Sequence, residues 1–205
     1  MKPFFLSLLF ILSLSSLVQA QSRTWDWDDI NLSWSDFTPR QTMPDQRTAS
    51  IYVHNAFGWE SSSRGAQVII QLRSAVTTKR DKSIVKASFI KKASKEDKQA
   101  LLQHEKGHLL IAYLKQYWLQ DTLLRAPLTL NNYKAEIRNI NHYLNQKADA
   151  LNAAYDQATR HSLIAEAQKT WEDKLLGLLN QYRKNNASLP LLLELTLYVP
   201  AKRVN

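Results

Sequence analysis

The hydrophobic period of this 205-residue chain changes at Ser94, and that change limits what it can fold into. Between residues 30 and 91 apolar positions recur with a period near two. Val68, Ile70 and Leu72 alternate with Gln67, Gln71 and Arg73, and Ile51, Val53 and Phe57 sit among Tyr52, His54 and Asn55. Such alternation marks strands with one buried face. Residues 83–91 read as a further strand. Turn residues separate the runs: Thr38-Pro39-Arg40, Met43-Pro44-Asp45, residues 61–65, and Lys79-Arg80-Asp81-Lys82. Three or four strands in succession predict a small antiparallel meander.

Beyond Ser94 the spacing is helical. Ser94 is a natural N-cap, and Glu96 and Asp97 put negative charge in the first turn, where the helix dipole favours it. Leu101, Leu102, His108, Ile111, Ala112 and Leu114 follow at helical intervals, which predicts a helix to about Leu119. Pro127 predicts a loop over residues 121–132. Helical spacing resumes near Asn132 and lasts to about Arg183, too long for one globular helix. The polar cluster at residues 156–162 marks the break. Leu193, Leu195, Leu197 and Val199 alternate with Glu194, Thr196 and Tyr198, the pattern of a late strand or docking arm. Laid across a cleft, that strand would inhibit the protein. The expected class is α+β: a small antiparallel sheet in the N-terminal half, then a helical half.

The N-terminus predicts export. Met1-Lys2 is followed by an apolar run over residues 4–17 and then by Val18-Gln19-Ala20, a small-x-small cleavage site. Residues 1–20 are therefore expected to be a signal peptide, residues 21–184 the folded domain and residues 185–205 a C-terminal extension. No later run is long enough for a membrane span. The chain has no Cys, which excludes disulfides, Cys-based zinc fingers, iron–sulfur clusters and thiol nucleophiles. Its net charge of +9 includes a basic stretch with Lys79, Arg80, Lys82, Lys86, Lys91, Lys92, Lys95 and Lys98. An exported chain with no recognised nucleic-acid fold reads this as a solvated face, not as a nucleic-acid surface. Trp25, Trp27 and Trp34 are expected to cover one edge of the sheet.

The chemistry lies in His104-Glu105-Lys106-Gly107-His108, an H-E-x-x-H run inside the first long helix. Residues four apart stand on adjacent turns of one face, so His104 and His108 can aim imidazole nitrogens at one ion. Neutral imidazole suits zinc. Glu105, one step round, reaches water at the metal rather than the metal itself, which is the place of a general base. The plain alternative is a helix face that happens to carry two His. Against it, two His, a Glu and a Gly make poor packing material for an otherwise apolar stripe. A catalytic zinc site needs a third protein ligand from downstream. Leu114 excludes the pattern with a His six residues after His108. Glu136, His142, Asp156, His161 and Glu166 are the candidates. His161 is preferred for its polar surroundings, whereas His142 fits a solvated face and His54 a structural place in a strand.

Several blocks resemble the bacterial DUF922 family, described as predicted secreted zinc-dependent proteases. They are Leu32-Ser33-Trp34-Ser35-Asp36-Phe37, like that family's opening strand; Thr48-Ala49-Ser50; Ser88-Phe89-Ile90; residues 101–108 with Ile111-Ala112; and Tyr155-Asp156-x-x-Thr159-x-His161 followed by Gln168 and Trp171. The resemblance implies a zincin-like site with His104 and His108 as zinc ligands and Glu105 as base. It supports His161 as third ligand and leaves Asp156 open. Tyr155 is implied either as an aid to the oxyanion or as a packing aromatic. Leu109-Leu110 stands where the family often carries Phe-Asp, and Ser162 where it usually has Gly. The resulting expectation is a secreted or periplasmic metallopeptidase with one zinc, acting on a peptide or protein. Its rival is a non-catalytic cell-envelope binding or scaffold protein with a structural or vestigial zinc site.

Overall fold

The computed structural model describes residues 26–45, 47–183 and 191–198. The expected signal peptide lies outside the described residues, as do Trp25 and residues 185–190 and 199–205 of the extension. Two short 3-10 turns, Trp27–Asp29 and Trp34–Asp36, come first. Five strands follow: β1 (Thr38–Arg40), β2 (Ala49–Ser50), β3 (Val53–Arg64), β4 (Gln67–Thr78) and β5 (Ile84–Lys86). Then come helices α1 (Ala87–Lys92), α2 (Lys95–Arg125), α3 (Tyr133–Thr159) and α4 (Ala165–Arg183), and the last strand, β6 (Leu191–Tyr198). The fold is α+β, with small sheets in the N-terminal half and helices after them.

The strands form two sheets instead of one meander. β3, β4 and β6 make an antiparallel sheet with β4 in the centre. β3 and β4 are long arms of a hairpin closed at Gly65, whose φ of 59° is the left-handed value that tight hairpin turns require. The serines expected in that turn, Ser61 to Ser63, stay within β3. The second sheet has the order β1-β5-β2, with β1 parallel to β5.

Residues 83–91 are a strand only at β5. From Ala87 the chain coils into α1, because buried Ala87 and the apolar pair Phe89 and Ile90 also fit one helical turn against the smaller core. The family-like opening block is a 3-10 turn, not a strand. Asp36 Oδ2 accepts the Ser33 N–H at 2.8 Å, and Trp34 packs on Phe37 and Phe89.

The start of α2 is the one expected: Ser94 Oγ accepts the Asp97 N–H at 2.9 Å. The helix continues past Leu119 to Arg125. Only there does Pro127 act, forcing Ala126 into extended backbone (φ −67°, ψ 136°). α2 carries buried residues round much of its circumference because β4, α3 and α4 all pack on it. Ile70 and Leu72 of β4 meet Leu110, Leu114 and Trp118 of α2 in the main core, with Leu175 and Leu179 of α4. Glu105, His104 and His108 are thus held in the most enclosed element of the fold.

Candidate metal centre

His104 and His108 project from α2 toward the last turns of α3. His104 is 1% exposed and Glu105 2%. Asp156, on α3, places Oδ1 3.1 Å from His104 Nε2 and 3.2 Å from His108 Nε2. These three side chains form the tight cluster, with donor atoms all within 4.8 Å of one another. His161 lies just beyond the end of α3. Its Nδ1 is 3.4 Å from the same Asp156 oxygen, and its side chain is half exposed. Asp156 thus joins the pair on α2, whereas His161, the candidate preferred from the sequence, stands beside Asp156 outside the tight cluster. Glu136 and Glu166 sit in the first turns of α3 and α4, and His142 is exposed.

The hydrogen bonds behind the rings decide which nitrogens face the cluster. Gln168 donates from Nε2 to Tyr155 Oη at 2.7 Å and to Glu172 at 3.2 Å. That leaves its carbonyl oxygen facing His104 Nδ1 at 3.3 Å, with Thr159 Oγ1 also at 3.3 Å. Asn152 Oδ1 faces His108 Nδ1 at 2.8 Å. Acceptors at Nδ1 hold the proton there, so each Nε2 directs its lone pair at the Asp156 carboxylate. Lone pairs and a carboxylate oxygen repel unless a cation lies among them. Two neutral imidazoles and a carboxylate suit zinc, so the residues fit that metal.

Without a metal the cation must be a proton. Burial works against charging His108, but the Asp156 hydrogen bond and the nearby carboxylates outweigh it and raise its pKa. Burial alone would raise the Asp156 carboxyl. The bonds from His104 and His108 outweigh that and hold it well below the usual carboxylate range.

Glu105 Oε2 accepts the Ile51 N–H at 2.8 Å, which ties the helix to the segment after β2. Tyr155 is fully buried, and burial pushes its phenol pKa up. Its hydroxyl donates to the His104 carbonyl at 3.1 Å and its ring stacks on His104. Tyr155 is not among the residues lining the cleft, so of its two implied roles this placement fits packing behind His104. Thr159 and Gln168 belonged to the family-like block without a role of their own, and nothing in the sequence pointed to Asn152. Asn152 stands one turn before Asp156, a spacing that could have signalled it.

The cluster opens on a cleft of about 910 Å³ between α2, α3 and the segment around β2. β6 adds to the edge of β4 and supplies no lining residue among those described, so it does not lie across the cleft.

The turn after α3 is strained. Arg160, His161 and Ser162 all have positive φ, at 47°, 54° and 77°. At Ser162 a glycine would carry no Cβ penalty for this backbone. Ser162→Gly is expected to raise stability by roughly 0.5–1 kcal/mol, the relief of left-handed strain less the added freedom of the unfolded chain. Thermal melting checks this; an unchanged or lower melting temperature contradicts it.

The family model described as a bacterial protein of unknown function (DUF922) matches residues 23–162, more than half of the chain. No curated protein and no solved structure matches it.

Proposed function

The chain belongs to the DUF922 family, bacterial proteins of unknown function, and from its metal centre we propose that it is a zinc-dependent metallopeptidase. The observation that carries this reading is the convergence of His104 and His108 Nε2 on Asp156, with the Glu105 carboxylate beside them on a wide cleft. His104, His108 and Asp156 would hold the metal, with His161 near enough to join or replace Asp156. Zinc held there supplies a Lewis acid that polarises a peptide carbonyl and acidifies water.

Glu105 is the general base. One of its oxygens is held by Ile51, and no other hydrogen bond to this carboxylate is present among the described residues. The second oxygen can take a proton from water as it attacks and return it to the leaving amine. Gln168, Thr159 and Asn152 keep the two imidazoles in one tautomer. The N-terminal segment supports export to the periplasm or beyond. No helix among the described residues is long and apolar enough to cross a membrane.

A second reading has its own observation. Asp156 Oδ1 lies within 3.4 Å of nitrogens from His104, His108 and His161, so four protein donors stand close together. Four protein ligands make a closed, structural zinc site, as in an envelope binding or scaffold protein. Incubating the zinc-loaded mature chain with denatured protein and mapping the products by mass spectrometry separates the two. Cleavage that a chelator abolishes and zinc restores is expected; intact substrate from a zinc-loaded chain favours the structural site.

Zinc and proton compete for the same nitrogens, which sets a pH dependence. In the metal-free chain the His108 contribution is fully present below its ordinary pKa and is lost as pH rises through the raised folded value. The Asp156 contribution is present above the ordinary carboxylate value and is lost as pH falls toward its depressed one. The melting-temperature gain on adding zinc is thus expected to be larger at about pH 8 than at about pH 6. A gain that shrinks with rising pH contradicts a histidine site.

A further inference from the structure

The cleft continues beyond the metal centre along α2, and a lysine waits there. Lys115 is 5% exposed and lines the cleft. No hydrogen bond or ion pair holds it among the described residues. The exposed carboxylate of Asp149 on α3 attracts it from beyond ion-pair distance, and burial lowers the Lys115 pKa against that attraction. The side chain is enclosed along its stem while its unpartnered ammonium still meets the cleft, where an incoming anion can reach it.

Polar groups surround this lysine. The contacts His104–Asp156 and His108–Asn152 set α2 and α3 antiparallel. Extended, that register brings Lys115 level with Asn145, which also lines the cleft. On the other wall, Gln116 donates to Ser74 at 3.1 Å, and Ser74 pairs with Phe57 of β3. Asn55, two residues from Phe57, is at that level too. Asn55 lines the same cleft; its buried Oδ1, an acceptor without a partner, suits a donor such as the Lys115 ammonium, and its Nδ2 is the group that can donate to an anion. Lys115, Asn55 and Asn145 thus line one stretch of the cleft and offer a cation and two amide N–H donors to an anion.

We propose that Lys115, with Asn55 and Asn145, forms a subsite that binds a carboxylate of the substrate peptide. Lys115 follows His108 by two helical turns, about 10 Å at 1.5 Å per residue. An extended peptide covers that in about three residues. The inference rests on the peptidase reading for the identity of the ligand as a peptide. The carboxylate belongs either to an acidic side chain or to the chain terminus about three residues from the cleaved bond.

The test measures binding, apart from turnover. Fluorescein-labelled alanine-rich peptides carry one Glu moved through successive positions, with Gln twins, and a parallel set ends in a free acid or an amide. Fluorescence anisotropy on the zinc-loaded Glu105→Gln protein is expected to show one Glu position, or the free acid terminus, binding at least about tenfold tighter than its neutral twin. Adding Lys115→Met should erase that preference and leave the neutral peptides bound as before, while Lys115→Arg restores part of it. Asn55→Ala, which leaves the lysine in place, should weaken the same preference. If Lys115→Met does not fold, Lys115→Arg and Asn55→Ala decide. Equal affinities for every pair, no binding of any peptide, or a preference untouched by these variants would overturn the subsite. Failure of the peptidase reading looks different: wild-type protein would bind the preferred peptide and leave it intact.

Discussion

Glu105→Gln is expected to keep the metal and to lower peptide hydrolysis by about 10²–10⁴-fold, the usual contribution of a positioned general base. The two side chains have the same shape. The amide oxygen can still accept the Ile51 N–H now bound to Oε2, so the anchor between α2 and the β2 segment survives. What is lost is the ability to take and return a proton. Glu105 is outside the tight ligand cluster, so zinc content should not change. Measuring turnover and bound zinc on one preparation separates the roles. A variant that loses its zinc would make Glu105 a ligand, and one that keeps full turnover would remove it from the chemistry.

Gly107→Ala should damage both fold and metal site. A Cβ there would stand 2.5 Å from Tyr155 Cζ and 2.6 Å from Cε1, and against the hydroxyl as well. Tyr155 is fully buried, so it cannot swing aside freely. Its hydroxyl bonds the carbonyl of His104, and its ring stacks on that imidazole. Any displacement of Tyr155 therefore moves His104. Alanine gains about 1 kcal/mol in helix propensity, but overpacking a close-packed site costs about 1–3 kcal/mol or more, and the Tyr155 bond about 1 kcal/mol besides. A net loss of about 2 kcal/mol would lower the melting temperature by about 4–8 °C, with weaker zinc binding alongside. A normal melting temperature and normal zinc affinity would show that the contact yields easily.

Much of this was legible from single residues. Ser94 as cap, the H-E-x-x-H run on a helix and the break after Asp156 are local signals, each with a mechanism confined to a few residues. The pairing of β1 with β5 carried no such signal. The parallel partners are three residues long and far apart in sequence, so only the tertiary fold selects them. Ser88-Phe89-Ile90 suited strand and helix alike, and packing against the smaller core decided it. At the site, helical spacing sufficed for His104 and His108, because one helix holds both. Asp156 comes from the end of another helix, and its approach to the pair depends on the antiparallel register of α2 and α3. Lys115 read as one more charged residue in a long helix. Its burial on the cleft side appears only when α3 and β3 are in place.

The most direct measurement is the zinc content of the purified mature chain after metal loading and dialysis, made for wild type, His104→Ala, His108→Ala, Asp156→Ala and His161→Ala. About one zinc per wild-type chain is expected. Near-complete loss is expected in His104→Ala and His108→Ala, and weakened retention in Asp156→Ala, with folding confirmed by circular dichroism. Wild-type protein that takes up no zinc, or folded His104→Ala and His108→Ala proteins that hold it as well as wild type, would contradict the metal centre and the peptidase reading built on it.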